Sequence, residues 1–285
     1  MTTTHQEPLL VNRGTPITPN EMARRTQRWG FWPVCRWYFA QAKSYVWSII
    51  VSAIGTPLLY LFAMGLGLGS LVDANHKTVG GVPYLHFVTP ALMVTTVAIG
   101  VLSELTYPIM DGFTWQRLYH GPVATPVTPG QVALGQHIGV MIRMLLQSLF
   151  FWAAGLAFGA FPHTARSLVG VPITVLTASA LGAPLQAFSA TRDDEGASFS
   201  LVERFVVLPM TLFAGTYFPL DVLPMSLRWI GWISPIWHGT ELARDVSYTH
   251  GEPIWLVCVH VVFLAILSVG GLMASRRIYT RRLVG

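Results

Sequence analysis

Six apolar runs, each about as long as a helix needs to cross a bilayer, constrain this chain more than any other feature. The runs cover residues 44–69, 85–106, 132–160, 168–190, 201–218 and 254–274. Only 11% of the 285 residues are charged, against about 25% in soluble proteins, which excludes a soluble enzyme and a disordered chain. The runs predict an all-α integral membrane protein with six transmembrane helices.

The segments before the first run are more polar. Residues 1–28 are rich in Pro and Thr and predict a flexible tail. Residues 29–43 combine Trp, Phe and Tyr with Arg36 and Lys43, which is typical of an amphipathic interfacial helix in the headgroup layer. An alternative is that these aromatic residues only anchor the first span. Residues 44–285 then form the six-helix transmembrane domain.

The basic residues are distributed unevenly between the two sides of the predicted helices. With the N-terminus inside, 13 Lys and Arg residues fall on inner segments and four fall on outer loops. Cytoplasmic segments of membrane proteins carry such an excess, so we expect both termini, and the tail, to be cytoplasmic. The same bias accounts for the net charge of +5 without binding to nucleic acid.

Two loops have more structure than a simple connection needs. On the inner side, Trp115, Leu118 and Tyr119 follow a helical spacing and predict a short interfacial helix. On the outer side, residues 219–253 are too apolar for water and too broken by proline for one spanning helix. They predict a re-entrant helical hairpin between the fifth and sixth helices, with its non-helical backbone buried by protein.

No catalytic motif is found in the sequence. A GxxxxGK[ST] phosphate loop and an HExxH motif are both absent, and the two cysteines lie far apart, so we expect neither ATP hydrolysis by this chain nor a metal site. The triplet Asp193-Asp194-Glu195 is the one candidate for a divalent cation. Consecutive carboxylates point in different directions on a helix, so the triplet is better explained as a solvated inner loop.

Two ionisable residues lie within the apolar runs. Glu104 is near the inner end of the second run, and Arg143 is inside the third. Because an unpaired charge in a span is costly, and consecutive helices usually pack side by side, we predict an ion pair between them. The pair either fixes the register of the two helices or contacts a substrate.

Several sequence blocks resemble the ABC-2 type permease family, in particular its nodulation J branch of lipo-oligosaccharide and drug exporters. Residues 55–62 (GTPLLYLF) and 65–69 (GLGLG) are similar to the segment of that branch around the first span, although Thr56 stands where an acid is usual. Residues 81–84 (GVPY) resemble the start of the second span. The most distinctive similarity is in residues 213–224 (FAGTYFPLDVLP), followed by 234–238 (SPIWH) and 241–244 (ELAR).

The resemblance implies a permease with the ABC-2, or type V exporter, fold in a bacterial inner membrane. Such permeases dimerise, and each copy docks a cytoplasmic ATPase that binds ATP and Mg²⁺. We expect the dimer to be a homodimer. The exported substrate would be amphiphilic, such as a lipid-linked glycan, a lipo-oligosaccharide or a hydrophobic drug.

 The second copy is expected to be identical, so that the complex would hold two permease chains, two ATPase chains and the surrounding membrane lipid.

The resemblance also assigns roles to individual residues. Coupling to the ATPase would fall to an inner surface made of Arg36, Trp115, Gln116, Arg117, Leu118 and Tyr119. Four aromatic residues are expected either to line the substrate path or to pack against membrane lipid: Phe213, Tyr217, Phe218 and Trp237. The outer hairpin would be shaped by Pro219, Asp221, Pro224, Pro235 and His238.

Two alternative functions stay open at the level of sequence. The first is a membrane-embedded, Mg²⁺-dependent lipid-diphosphate transferase that uses the acidic triplet at residues 193–195. The second is an ion-coupled transporter, which needs an essential carboxylate inside the membrane and leaves Glu104 as almost the only candidate.

Overall fold

The computed structural model describes residues 18–74, 78–193, 196–248 and 251–285. Within these ranges the chain is all-α, and its one pair of β-bridged residues is Val79 with Val82. The helices are α1 (Pro19–Trp29), α2 (Phe31–Ala42), α3 (Val46–Tyr60), α4 (Gly69–Ala74), α5 (Tyr84–Leu105), α6 (Tyr107–Thr114), α7 (His120–Val123), α8 (Pro129–Ala157), α9 (Thr164–Ser167), α10 (Gly170–Ser189), α11 (Ala197–Val202), α12 (Leu208–Leu212), α13 (Met225–Trp232), α14 (Pro235–Tyr248) and α15 (Ile254–Val284).

Five helical stretches in the described ranges are long and apolar enough to cross a membrane. They are Phe31–Val72, Tyr84–Thr114, Pro129–Ala157, Thr164–Ser189 and Ile254–Val284. The first is continuous through a 3₁₀ turn at Lys43–Tyr45 and a π-helical segment at Leu61–Leu68. The predicted interfacial helix and first span are therefore joined in one long helical stretch.

The start of the described chain differs from the predicted tail. Residues 19–28 belong to α1, which begins after Thr18, whose side chain accepts a hydrogen bond from the Glu21 amide. Glu21 and Arg25 form an ion pair one turn apart, with 2.7 Å between Oε1 and Nη2. A helix cap and an i,i+4 ion pair both stabilise a short helix. The prediction of a flexible tail considered only the overall polarity of the segment and not these two local interactions. Residues 1–17 of the predicted tail lie outside the described ranges.

Helix α5 lies at the centre of the fold. It packs against α8, α10 and α14, and most of its residues are buried. One packing cluster gathers Val97, Val101 and Leu105 of α5 with Val140 and Tyr279. A second cluster gathers Phe87 and Leu92 with residues of the π-helical segment and of α8. Helix α15 packs along α10, which completes the bundle.

The fifth predicted span, 201–218, is the main departure from the expected helices. The chain is helical from 197 to 212 through α11, a π-helical turn at Glu203–Val207 and α12. At 1.5 Å per residue this stretch is about 24 Å long, shorter than the roughly 30 Å hydrocarbon core. Residues 213–218 are not helical, and Gly215 has a φ of +73° that a right-handed helix does not permit.

The described part of the predicted outer stretch, residues 219–248 and 251–253, contains two α-helices. A 3₁₀ turn at Leu220–Val222 precedes α13, and α14 follows after Ile233 and Ser234. Helix α14 is largely buried and packs against α5, α10 and α15. The two proline-initiated helices agree with the helical part of the predicted hairpin, and the depth of the pair in the bilayer stays a prediction.

Candidate functional site

A polar cavity of about 650 Å³ opens between α2 and the ends of α5 and α8 that are predicted to face inward. Its walls include Tyr38, Glu104, Trp115, Tyr119 and Arg143. The predicted ion pair and part of the predicted ATPase-coupling surface therefore line the same cavity, although they come from different parts of the sequence.

The structure brings Glu104 and Arg143 together as an ion pair that links α5 to α8. Tyr38 of α2 donates a hydrogen bond from its hydroxyl to Glu104 Oε2 at 2.7 Å. The Glu104 and Arg143 side chains are 15% and 25% exposed, so the pair is partly desolvated. Removing one partner would leave a poorly solvated charge, which makes the two side chains interdependent. Tyr38 was not predicted, because nothing in the aromatic segment at residues 29–43 indicates that one of its tyrosines has a distant carboxylate as its partner.

The inner segment at residues 115–119 is not the short helix that its spacing predicts. Helix α6 ends at Thr114, and the chain then turns through Arg117, which has a φ of 49°. Trp115 is 58% exposed, whereas Tyr119 is 2% exposed. Gln116 and Arg117 are exposed, Leu118 is half-buried, and Arg36 is exposed on α2. Of the predicted coupling residues in this turn, three are therefore exposed, Leu118 is half-buried, and Tyr119 is the one buried anchor.

Tyr119 is the anchor, because it packs into an aromatic cluster at the inner end of the bundle. Its ring centroid lies 4.8 Å from that of Phe113 and 5.4 Å from that of Tyr279. The Phe113 and Tyr279 rings are 4.7 Å apart and nearly perpendicular, an arrangement that aromatic pairs favour. Burial, and secondarily the neighbouring Tyr279, raises the pKa of the Tyr119 phenol. The cluster fastens the inner turn to α15.

Asp193 of the acidic triplet is held by neighbours on other elements. Its Oδ1 accepts hydrogen bonds from Arg282 Nη2 at 2.5 Å and from Thr114 Oγ1 at 3.0 Å. Arg282 also donates to the Ala190 carbonyl at 2.8 Å and lies over the Phe113 ring. Asp194 and Glu195 lie outside the described ranges. Among the residues that the structure describes, no group of three His, Cys, Asp or Glu side chains could hold a metal ion.

On the opposite side of the bundle, Arg244 binds the non-helical segment after α12. Its guanidinium donates to the carbonyls of Gly215 at 2.7 Å and Thr216 at 3.4 Å, and it pairs with Glu241 at 2.9 Å. It lies 3.8 Å from the centroid of the Phe87 ring and is 1% exposed. Arg244 is one of the four basic residues that the sequence assigns to outer loops, together with Lys77, Arg166 and Arg228. The spacing of three residues between Glu241 and Arg244 could have predicted that the two side chains pair on one helix.

The four aromatic residues predicted for a substrate path are all half-buried, but they pack in different places. Tyr217 packs against the cluster that contains Phe87 and Leu92, and its carbonyl accepts from Tyr84 Oη at 3.3 Å. Trp237 packs against the cluster that contains Ala214 and Ile236. Phe213 and Phe218 border the non-helical segment. Their role in a substrate path stays a prediction.

The predicted hairpin residues initiate turns and helices. Pro219 and Pro224 precede the 3₁₀ turn and α13, and Pro235 begins α14. The Asp221 carbonyl accepts a hydrogen bond from Arg228. His238 is buried, with its Nδ1 2.5 Å from His260 Nδ1 and its Nε2 2.9 Å from the Trp232 carbonyl. His260 of α15 was not among the predicted residues, because contacts between distant histidines leave no pattern in the sequence.

Comparison with known proteins identifies the family of this chain. The sequence model of the ABC-2 type transporter family matches residues 33–248. Nodulation protein J of Rhizobium leguminosarum bv. viciae is 27% identical over 250 residues, covering 87% of this chain and 92% of that protein. The inner membrane transport permease YadH of Escherichia coli is 29% identical over 217 residues, covering 71% and 73% of the two chains. The chain therefore belongs to the ABC-2 type transporter family, as a transmembrane transport permease.

Proposed function

We propose that this chain is the permease subunit of an exporter that moves an amphiphilic substrate outward across the cytoplasmic membrane. Two copies of a separate cytoplasmic ATPase would supply the energy, and ATP and Mg²⁺ would bind in that partner. The observation that carries the proposal is the inner turn at residues 115–119, which exposes Trp115 while Tyr119 anchors it in the bundle. A surface that receives force needs such a rigid attachment to transmit it.

The proposed coupling route runs from the turn to two sets of helices. Through Tyr119 and Phe113 the turn contacts Tyr279 near the end of α15. Through the polar cavity it faces Glu104 and Arg143, which join α5 to α8. Closure of the ATPases on ATP would press on the turn and on α2, and the two states of the permease would differ in these contacts. Binding energy shifts a conformational equilibrium only through such differences.

The proposal includes six membrane crossings. The helical stretch at 197–212 would serve as the fifth, with its outer end completed by residues 213–218, whose carbonyls are satisfied in part by Arg244. Helices α13 and α14 would form a re-entrant pair on the outer side, which the burial of α14 supports. The positive-inside asymmetry supports cytoplasmic termini.

A homodimer is part of the proposal because two apolar helical faces have few contacts within the chain. Helix α3 exposes Trp47, Val51 and Leu59, and the 197–212 stretch exposes Leu201 and Phe205. These faces would contact a second copy or membrane lipid. Substrates of the proposed class, such as lipid-linked glycans, lipo-oligosaccharides and hydrophobic drugs, follow from the family resemblance.

Co-purification and an ATPase assay test the proposal. The tagged chain is extracted in mild detergent from its native membrane, and the proteins that accompany it are identified by mass spectrometry. We expect a Walker-type ATPase whose activity depends on the permease, and we expect Trp115→Ala to reduce its recovery. Arg166→Gln, on the predicted outer side, is the control. Purification of the chain without an ATPase, together with Mg²⁺-dependent turnover of a lipid diphosphate, would instead favour the transferase and the triplet at residues 193–195.

A further inference from the structure

A basic groove of about 740 Å³ lies between the start of α8 and the last turns of α15. The side of α8 contributes Thr128 and Gly130, and α15 contributes Arg276, Arg277, Thr280 and Arg281. Gly130 permits a close approach, because a Cβ added there would lie 3.0 Å from Arg276 Nε. The groove is thus built from two helices rather than from one flexible end.

The three arginines of this groove are exposed, and within the described ranges none of their guanidinium groups has a hydrogen-bond or ion-pair partner. Arg282, by contrast, is held by Asp193 and the Ala190 carbonyl. Among the residues that the structure describes, no carboxylate lines the groove. Three neighbouring positive charges repel one another, and an anion placed between them would relieve that repulsion.

The surface of α15 next to the arginines indicates which anion fits. Val262, Ile266, Val269 and Met273 are all exposed, and their spacing of three or four residues places them on one helix face. The same spacing continues to Arg277 and Arg281. One face of α15 is therefore apolar over about three turns and then basic. A phospholipid has the same order of groups, with acyl chains followed by a charged headgroup.

We propose that this groove binds an anionic phospholipid, with its phosphodiester between Arg276, Arg277 and Arg281. The acyl chains would lie along the exposed face from Val262 to Met273. Basic pockets between membrane helices bind acidic lipid headgroups in this way. Free phosphate would use the arginines but would gain nothing from the apolar face, so the lipid is the better occupant.

Native mass spectrometry of the full chain in detergent tests this site. The chain is titrated with phosphatidylglycerol and, separately, with phosphatidylcholine of the same acyl chains. We expect Arg276→Gln, Arg277→Gln and Arg281→Gln each to weaken phosphatidylglycerol binding about fivefold, and the triple variant about a hundredfold. The matched control is Arg204→Gln, because Arg204 is also exposed near the predicted inner surface but lies outside the groove. We expect the control and all phosphatidylcholine titrations to be unchanged.

Three results would overturn the proposal. The first is equal weakening by the control and the groove variants, and the second is equal binding of the two lipids by the unaltered chain. The third is retention of the lipid by the triple variant together with loss of a co-purifying protein, which would assign the groove to a protein partner.

A measurement on the unaltered chain covers the case in which the triple variant does not fold. A phosphatidylglycerol with a photoactivatable acyl chain is expected to crosslink within residues 262–273, and excess glycerol phosphate is expected not to prevent it. Crosslinks confined to other helices, or full competition by glycerol phosphate, would contradict a lipid site.

Discussion

At the residue scale, the buried charges of this protein are held by contacts between segments that are distant in the sequence. Arg244 joins α14 to the carbonyls of Gly215 and Thr216 and to the ring of Phe87 on α5. It acts as the donor to carbonyls in the non-helical segment at residues 213–218, which lack partners within a helix. In a nonpolar environment such carbonyls must find a donor elsewhere in the protein.

Arg244→Met is expected to lower the free energy of unfolding by about 3–5 kcal/mol, because it leaves the Glu241 carboxylate without its guanidinium and removes the donor to the carbonyls of Phe87, Gly215 and Thr216. Thermal and denaturant unfolding in detergent measure the loss. Adding Glu241→Gln is expected to restore part of the stability. A loss of under about 0.5 kcal/mol, as for a surface substitution, would contradict the role of Arg244.

The Glu104–Arg143 pair gives a second test at this scale. Glu104→Gln and Arg143→Gln are each expected to destabilise the chain by about 3–5 kcal/mol if the pair behaves as a buried one, and the double variant by less than their sum. Tyr38→Phe removes one hydrogen bond to a charged group, with an expected cost of about 1.5–3 kcal/mol. A double-mutant cycle measures the coupling, and additive losses would show that the pair is not energetically coupled. Transport by a stable double variant would favour helix register over substrate contact.

At the scale of elements, sequence reasoning succeeded where long apolar runs determine the structure. The predicted second, third and fourth spans agree with α5, α8 and α10 to within three residues at each end. It failed at residues 213–218, where Gly215 and the distant Arg244 favour a non-helical backbone. A local pattern cannot show that an arginine about 30 residues later will bind the carbonyls.

The inner turn shows the same limit on a smaller scale. The spacing of Trp115, Leu118 and Tyr119 suits a helix, yet Tyr119 is drawn into a cluster with Phe113 and Tyr279. The position of Tyr279, 160 residues away in the sequence, is set by the packing of α15 and not by the turn. The sequence therefore indicated which residues matter here without indicating their conformation.

The turn predicts different effects for its exposed and buried residues. Trp115→Ala is expected to change stability by no more than about 0.5 kcal/mol, because Trp115 is mostly exposed, and to abolish stimulation of the ATPase. Tyr119→Ala is expected to cost about 3–5 kcal/mol, as for other large buried aromatic residues. Unfolding and ATPase assays on both variants separate the roles. A severe loss of stability in Trp115→Ala would show that this residue belongs to the core.

At the scale of the whole molecule, the proposed topology places residues 219–253 and the C-terminus on opposite sides of the membrane. A chain with Cys35→Ser and Cys258→Ser, and with a single cysteine introduced at exposed Val222, is expected to react with a membrane-impermeant maleimide added outside intact cells. A cysteine at exposed Val284 is expected to react only after the membrane is opened. The reverse pattern of labelling would contradict the predicted orientation.

The mass of the purified complex shows whether this chain assembles with an ATPase. Native mass spectrometry after mild extraction is expected to give two copies of this chain with two copies of an ATPase, and addition of ATP and Mg²⁺ is expected to produce phosphate. If the complex contains this chain without any ATPase, under conditions that preserve other permease complexes, the proposed role as the permease subunit of an ATPase-driven exporter is contradicted.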